Sequence, residues 1–220
     1  MGNDQLYRLI SLYWRYTLFT RTKISVDIPI LDYGGGLGQV SAALPDVTIS
    51  DPSVFARDYA YHRGRKFISV IAEIPRGHFG IILSSHSLEH APRPADLLMR
   101  FHHYATEECK LILLLPNEYE MYRRTKPLEV PRLTPDLRDQ HLYCWTFQTI
   151  TNLLAYSGWE VLMQSRVYGP FMLRTLARTL NHDHAVWLAH FFGRYKKNFP
   201  SLLVVARRAR CKISNLRVRG

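Results

Sequence analysis

A short apolar run that ends in an acid and passes at once into four glycines within five residues, Ile30-Leu31-Asp32-Tyr33-Gly34-Gly35-Gly36-Leu37-Gly38, constrains this chain more than any other segment. Such a run reads as a buried parallel strand. Glycines directly behind it let the backbone turn sharply and approach a ligand where a Cβ would collide. The pattern places a nucleotide-like ligand at the C-terminal end of a first strand, against the start of a helix. Spacing narrows the choice. The dinucleotide fingerprint G-x-G-x-x-G asks for a third glycine five residues after the first, and those positions are Gln39 counted from Gly34 and Ser41 counted from Gly36. The arrangement present is D-x-G-x-G-x-G on Asp32, Gly34, Gly36 and Gly38.

The remaining pattern alternates strands with helices. Leu6, Leu9, Ile10, Tyr13, Trp14, Thr17 and Leu18 recur at helical spacing and predict an amphipathic helix over 4–19. After the glycines a short helix is expected to end near Pro45, followed by a strand Val47–Ser50 ending at Asp51. A helix from Pro52-Ser53 stops at Gly64, and strands Phe67–Ala72 and Phe79–Ser84 come next. A helix Pro94–Tyr104 has proline in its first turn, and Lys110–Leu115 is a fifth strand. The rhythm breaks over 117–145, a loop long enough to serve as a substrate lid. Thr146 then caps a helix that Gly158 terminates. Strand Glu160–Tyr168, a helical insertion over about 170–192 and a last strand Leu202–Ala206 follow. The expectation is an α/β fold, one mostly parallel sheet covered on both faces, with an antiparallel edge strand after the long final excursion.

Length and composition agree with a single domain over 1–206. The chain has 220 residues, 47% of them hydrophobic and 12% aromatic, enough for a sizeable core. No run approaches the ~20 apolar residues of a membrane span, and Asp4 and Arg8 interrupt any secretory leader. Cys109, Cys144 and Cys211 lack metal or redox spacing, which reads as reduced thiols in a cytoplasmic protein. The net charge of +11 is concentrated. Residues 207–220 hold six Lys or Arg and no acid, and without them the charge falls to +5. That basic tail is either solvated or an RNA- or lipid-binding segment.

The D-x-G-x-G-x-G turn resembles motif I of the class I S-adenosylmethionine (SAM) methyltransferases. Phe79–Pro94, with Leu88-Glu89-His90 after its strand, resembles the motif IV region of the ubiquinone-biosynthesis-like branch (methyltransferase types 11 and 23). Lys110–Asn117 and Thr146–Val161 match the fifth strand and the late helix and strand of that branch. Gly80 stands where the branch usually carries Asp, a position taken to lie ahead of the strand. The resemblance covers about 28–168. It implies a three-layer Rossmann-like fold with a seven-stranded sheet, SAM as cofactor and transfer of its methyl group.

The resemblance assigns candidate cofactor contacts to Asp32, Gly34, Gly36, Gly38, Asp51, Glu73 and Ser84. Asp51, at the end of the second strand, can accept both ribose hydroxyls, and it can equally cap the next helix. Asp32 is expected to organise the turn through backbone N–H groups and to approach the sulfonium. Glu73 lies where the adenine edge is often read. In this fold a leading helix often lies across the cofactor mouth.

His86, Glu89 and His90 form H-x-x-E-H at the mouth of the fourth strand, and His141 follows later in Asp139-Gln140-His141. The set is similar to E-x-x-E-H plus a later histidine in the small-RNA 3′-terminal 2′-O-methyltransferases. There four such residues hold a divalent metal on the terminal ribose. Here His86, Glu89, His90 and His141 would offer three imidazoles and one carboxylate, shifting preference from Mg²⁺ toward Zn²⁺, Mn²⁺ or Fe²⁺. General-base work by His86, His90 or His141 and a structural tie between helix and strand stand beside metal binding. His102-His103 fall on a helix, and His182-Asp183-His184 read as a polar turn. Tyr119, Tyr122, Arg123 and Arg124 are placed to cover an acceptor that carries phosphate or carboxylate. O-methylation of a small polar metabolite or sugar-bearing intermediate leads these expectations. An RNA 2′-O-methyltransferase using the tail and a metal, and a non-catalytic methyltransferase-like binding subunit, are the alternatives.

Overall fold

The computed structural model describes residues 3–24, 28–69, 73–117, 141–170, 172–193 and 201–210. Strand after strand, alternate side chains enter two separate cores. Along β5 (Ala105–Pro116), Leu111, Leu113 and Leu115 enter one core while Ile112 and Leu114 enter the other. In β1 (Ile30–Tyr33) and β4 (Phe79–Ser85), Leu31 and Ile82 join the first core, and Ile30, Ile81 and Leu83 join the second. Strands apolar on both faces require cover on both sides. The first face is closed by α3 (Pro94–Tyr104) and α4 (Phe147–Tyr156) through Leu98, Phe101, Ile150 and Leu154. The second is closed by α1 (Asn3–Thr22) and α6 (His182–Gly193) through Leu9, Tyr13, Leu18, Ala185 and Ala189. The three-layer α/β sandwich expected from the alternation is the one observed.

With β2 (Val47–Ser50), β3 (Lys66–Ile68), β6 (Trp159–Val167) and β7 (Ser201–Arg208), the sheet has seven strands in the order β3-β2-β1-β4-β5-β7-β6. β7 runs antiparallel to both neighbours, and the other pairs are parallel. The antiparallel strand is thus the inner member of the edge pair, slotted between β5 and β6. From β1 the chain steps outward to β2 and β3, then crosses back to β4 on the other side of β1. This reversal makes the C-terminal ends of β1 and β4 the topological switch point, where open α/β sheets leave a crevice for ligands.

Local signals held where they rest on capping. Ser53 caps α2 (Val54–His62), and Thr146 forms a capping box with Thr149 at the start of α4. Four expectations are corrected. No helix follows the glycines: residues 39–43 form turns, with Ala42 N–H donating to the Gly38 carbonyl at 2.8 Å. Between Gly38 and Pro45 there is room for little more than one turn, too short to sustain a helix. α1 runs to Thr22, three residues past its expected end, because Thr22 is itself buried and donates its hydroxyl to the Leu18 carbonyl. His182-Asp183-His184 start α6 rather than forming a loop, with the Asn181 side chain accepting from His184 N–H at 2.9 Å. Gly80 lies inside β4, where a Cβ would press on Ile28 at 3.2 Å. The insertion over 170–192 resolves into α5 (Leu173–Thr179) and α6.

Candidate cofactor and methyl-transfer site

The glycine turn is held by its own main chain and by one carboxylate. Gly34 N–H donates to the Ser50 carbonyl at 2.7 Å, Gly38 N–H to the Gly35 carbonyl at 2.7 Å, and Gly36 N–H to Asp51 Oδ2 at 2.9 Å. The glycines do different work. Gly34 has φ +66°, and a Cβ there would fall 2.6 Å from the Ser87 Cβ and onto its hydroxyl. The β1 and β4 ends can approach this closely only without that side chain. Gly36 has φ +52°, and a Cβ there would meet nothing within 4 Å. Its surroundings are open. Gly38 is held by packing, since a Cβ would lie 2.7 Å from Ile49 Cδ1.

Asp51 spends its other oxygen on Ser53 N–H at 2.9 Å. The cap of α2 is Ser53, so Asp51 fixes the approach to the helix without capping it. Each carboxylate oxygen accepts more than one hydrogen bond, which leaves Asp51 capacity for two hydroxyls. Asp32 behaves differently from expectation. It is 1% exposed and accepts from the Ser41 hydroxyl. The N–H groups of Gly34, Gly35, Gly36 and Gly38 go to Ser50, Asp51 and Gly35 instead. Asp32 therefore supports the turn from beneath, by filling the space under Gly35. Burial, opposed by the Ser41 hydrogen bond and reinforced by the Asp51 charge, pushes its pKa up to about 6.

Two cavities meet at Gly34. One of about 780 Å³ is lined by Tyr33, Asp51, Ser69, Ser87, His90 and Arg93, among others. The second, of about 390 Å³, is lined by Trp14, Asp32, Gly36, Gln39, Ser85 and His86. The first lies within the volume range of small-molecule sites. Trp14 brings α1 to the mouth, as expected of a leading helix.

The β4 side of the crevice is built from side chains. His86 sits at φ +48°, a left-handed conformation unusual for a residue with a Cβ, with its N–H on the Leu114 carbonyl at 2.8 Å. Its Nε2 lies 3.1 Å from Ser201 Oγ, and its Nδ1 lies 3.8 Å from Glu89 Oε1. Partial burial, then the His141 and His90 imidazoles, hold the His86 pKa below the ordinary histidine value. Glu89 is fully buried in a 3₁₀ turn, Leu88–His90. His141 Nε2 lies 3.9 Å from Glu89 Oε1, and the His90 and His141 rings are 4.8 Å apart and edge-on. The His141 segment is seated by Leu142 N–H on the Glu89 carbonyl at 2.8 Å and by the Tyr143 hydroxyl on the Pro92 carbonyl at 3.0 Å.

Ligand atoms of Glu89, His90 and His141 lie within 4.8 Å of one another, a group that can gather on a metal ion. His86 is outside it, turned toward Ser201, so the described residues bring together three of the four expected ligands. Ser84 is buried in β4 and lines neither cavity; Ser85 and Ser87 do so instead. Exposed Glu73 lines neither. His102 stacks on Trp159 at 4.4 Å and bonds the Ser157 carbonyl, a structural duty. Tyr119, Tyr122, Arg123, Arg124 and tail residues 211–220 lie outside the described residues. Ser201, Ser87 and Gln39 carried no sequence signal of their own.

A seven-stranded sheet of this order, with a glycine turn at the switch point and an acid after β2, defines the Rossmann-like fold of the class I SAM-dependent methyltransferases. Residues 5–164 match the family model described as a methyltransferase domain, and the chain belongs to that family. Solved structures share the fold. One is a chain of the Haloferax volcanii complex between the Trm112 methyltransferase activator and a methyltransferase: TM-score 0.66, 13% identity, 95% of this chain and 94% of that one covered. A SAM-dependent methyltransferase from Mesorhizobium loti gives 0.62 and 19%, covering 91% and 100%. Burkholderia thailandensis 1,6-didemethyltoxoflavin-N1-methyltransferase, solved with 1,6-didemethyltoxoflavin and S-adenosylhomocysteine, gives 0.55 and 15%, covering 91% and 78%. No curated protein matches the chain in sequence. No described helix is long and apolar enough to cross a membrane.

Proposed function

We propose that the chain methylates a hydroxyl oxygen of a small polar acceptor, with His86 as general base. The observation that carries this is the meeting of the two cavities at Gly34 with His86 on the wall of one of them. The residues fit SAM. Open space at Gly36 gives a cradle that a Cβ would fill, and Asp51 has acceptor capacity for two ribose hydroxyls beside it. Asp51, Gly34 and Gly36 would hold the nucleoside, while Trp14, Asp32 and Gln39 line the smaller cavity for its amino-acid end. When bound, SAM supplies an electrophilic methyl group on its sulfonium.

The protein's own work is then to align the acceptor, exclude water and take a proton. An acceptor hydroxyl that displaces Ser201 from His86 Nε2 gives its proton to that nitrogen. Glu89, 3.8 Å from Nδ1, favours the imidazolium that results. The lowered pKa keeps His86 neutral, and so able to accept, at pH 7. A small acceptor is supported by the fold neighbour solved with a small heterocycle.

A second mechanism is favoured by one observation, the convergence of Glu89, His90 and His141. There a divalent metal would draw the acceptor hydroxyl and lower its pKa, as for a ribose 2′-hydroxyl of RNA.

Transfer of labelled methyl from SAM into metabolite and RNA pools, with products identified by mass, tests both. An O-methyl small molecule, formed in the presence of chelator, supports the leading function. A methylated RNA product lost on chelation supports the second. SAM binding with no transfer to any pool leaves a binding subunit, and an N- or C-methyl product overturns the hydroxyl acceptor.

A further inference from the structure

A third cavity, of about 420 Å³, lies between α1 and the segments around 42–43 and 63–65, and shares no lining residue with the two at Gly34. Arg8, Arg63 and Arg65 line it together with Tyr7 and Ser11. The acid paired there is Asp4, which bonds Arg63 from an exposed position. Three guanidiniums on one concave wall repel each other unless an anion sits among them.

The wall is rigid. Arg63 is sandwiched against Tyr7 and Tyr59, its guanidinium carbon 4.7 and 4.8 Å from the two ring centroids. This stacking leaves its N–H edge for acceptors in the plane, and Asp4 takes one terminal N–H of that edge. Arg65 gives one terminal N–H to the Ala42 carbonyl at 3.2 Å, while its Nε is buried without a hydrogen-bond partner among the described residues. A buried donor left unpaired is costly, so Arg65 gains from an anion that draws its side chain toward the cavity it lines. Tyr7 and Ser11 are themselves fixed, donating their hydroxyls to the Leu37 and Gln39 carbonyls at 2.7 and 2.9 Å.

We propose that this cavity binds a phosphate group, held by Arg8, Arg63 and Arg65. A phosphate dianion matches the charge and offers enough oxygens for three planar donors, which a single carboxylate does not. The phosphate is carried on a small phosphoester or nucleotide, or on a nucleic-acid backbone, and the probes separate these sources.

The test is calorimetric titration of the full chain with inorganic phosphate, ADP and a hexauridylate, repeated in Arg8→Gln, Arg65→Gln and Arg178→Gln. Arg8 is exposed and Arg178 lies on α5, remote in sequence from the cavity residues. Arg8→Gln should melt at or above the wild-type temperature without anion, and should weaken phosphate and ADP binding about tenfold. Arg65→Gln should weaken both about as much, and Arg178→Gln should leave binding unchanged. Hexauridylate binding with the same loss, and no response to phosphate or ADP, assigns the group to an RNA backbone at this site. No binding by any probe overturns the proposal, as does binding that all three variants weaken equally, the mark of net charge alone.

Discussion

At the β1–β2 edge of the crevice the chain presents a glycine backbone and the Asp51 carboxylate that anchors it, whereas at the β4 edge it presents imidazoles around a buried carboxylate. The first edge is local: Gly36 and Asp51 are fifteen residues apart and joined by one hydrogen bond. The second is assembled from distance, His86 meeting Ser201 across 115 residues and Glu89 meeting His141 across 52. Backbone geometry can be demanded only by particular residue types, above all glycine, so in the proposed function the first edge is the one that holds the nucleoside. Side chains that converge from separate segments can be exchanged more freely, so in the proposed function the second edge is the one that sets the acceptor and its chemistry.

The largest expected effect breaks the β4 edge alone. His86→Ala should lower kcat by about 10²- to 10⁴-fold with little change in SAM affinity, measured by labelled transfer and calorimetry. Because the His86 pKa lies below its ordinary value, the wild-type rate should climb with pH only below that ordinary value and stay flat through neutrality. His90→Ala should cost less if no metal is used; an equal loss would shift the chemistry toward the Glu89, His90 and His141 group.

Asp51→Ala breaks the other edge. Losing two charge-assisted hydrogen bonds to ribose and the anchor of Gly36 should weaken SAM binding about 100-fold or more. The glycines sharpen the contrast. Gly34→Ala drives a Cβ into Ser87 and should destabilise the fold by about 2–5 kcal/mol in denaturant unfolding. Gly36→Ala meets no neighbour and should cost only about 1–2 kcal/mol of strain, yet it should still reduce SAM affinity.

A pH-dependent effect of similar size concerns the support beneath the turn. Asp32 has a folded pKa of about 6, against about 3.9 when unfolded, so the folded state holds its proton more tightly. Stability therefore falls as pH rises from about 4 to 6 and stays lower above that. Asp32→Asn keeps an acceptor for Ser41 and should stabilise the protein by on the order of 2–3 kcal/mol at pH 8, with little gain at pH 4.

The same contrast explains what could be read from the sequence. β1, β2, α3 and α4 follow from apolar runs and caps such as Thr146, which act within a few residues. The antiparallel strand was legible, but its place inside β6 was not, because order across a sheet depends on how α5 and α6 route the chain. The helix expected after the glycines failed for a local reason, the short span from Gly38 to Pro45. At the site, Asp51 and the glycines were legible as spacing, and the H-x-x-E-H cluster as composition. Ser201 was invisible, since a lone serine at the start of a strand signals nothing until β7 is laid beside β5, with β4 on the far side of β5. Ser84 and Ser85 differ by a single step along β4, and period-two alternation sends them to opposite faces.

The central claim is that the nucleoside of SAM is held at the switch point by Asp51. Its most direct test is a crystal structure with S-adenosylhomocysteine. Both ribose hydroxyls should lie about 2.6–3.2 Å from the Asp51 carboxylate oxygens, with the amino-acid end beside Trp14 and Gln39. A nucleoside bound elsewhere, or a ribose with no contact to Asp51, would contradict it.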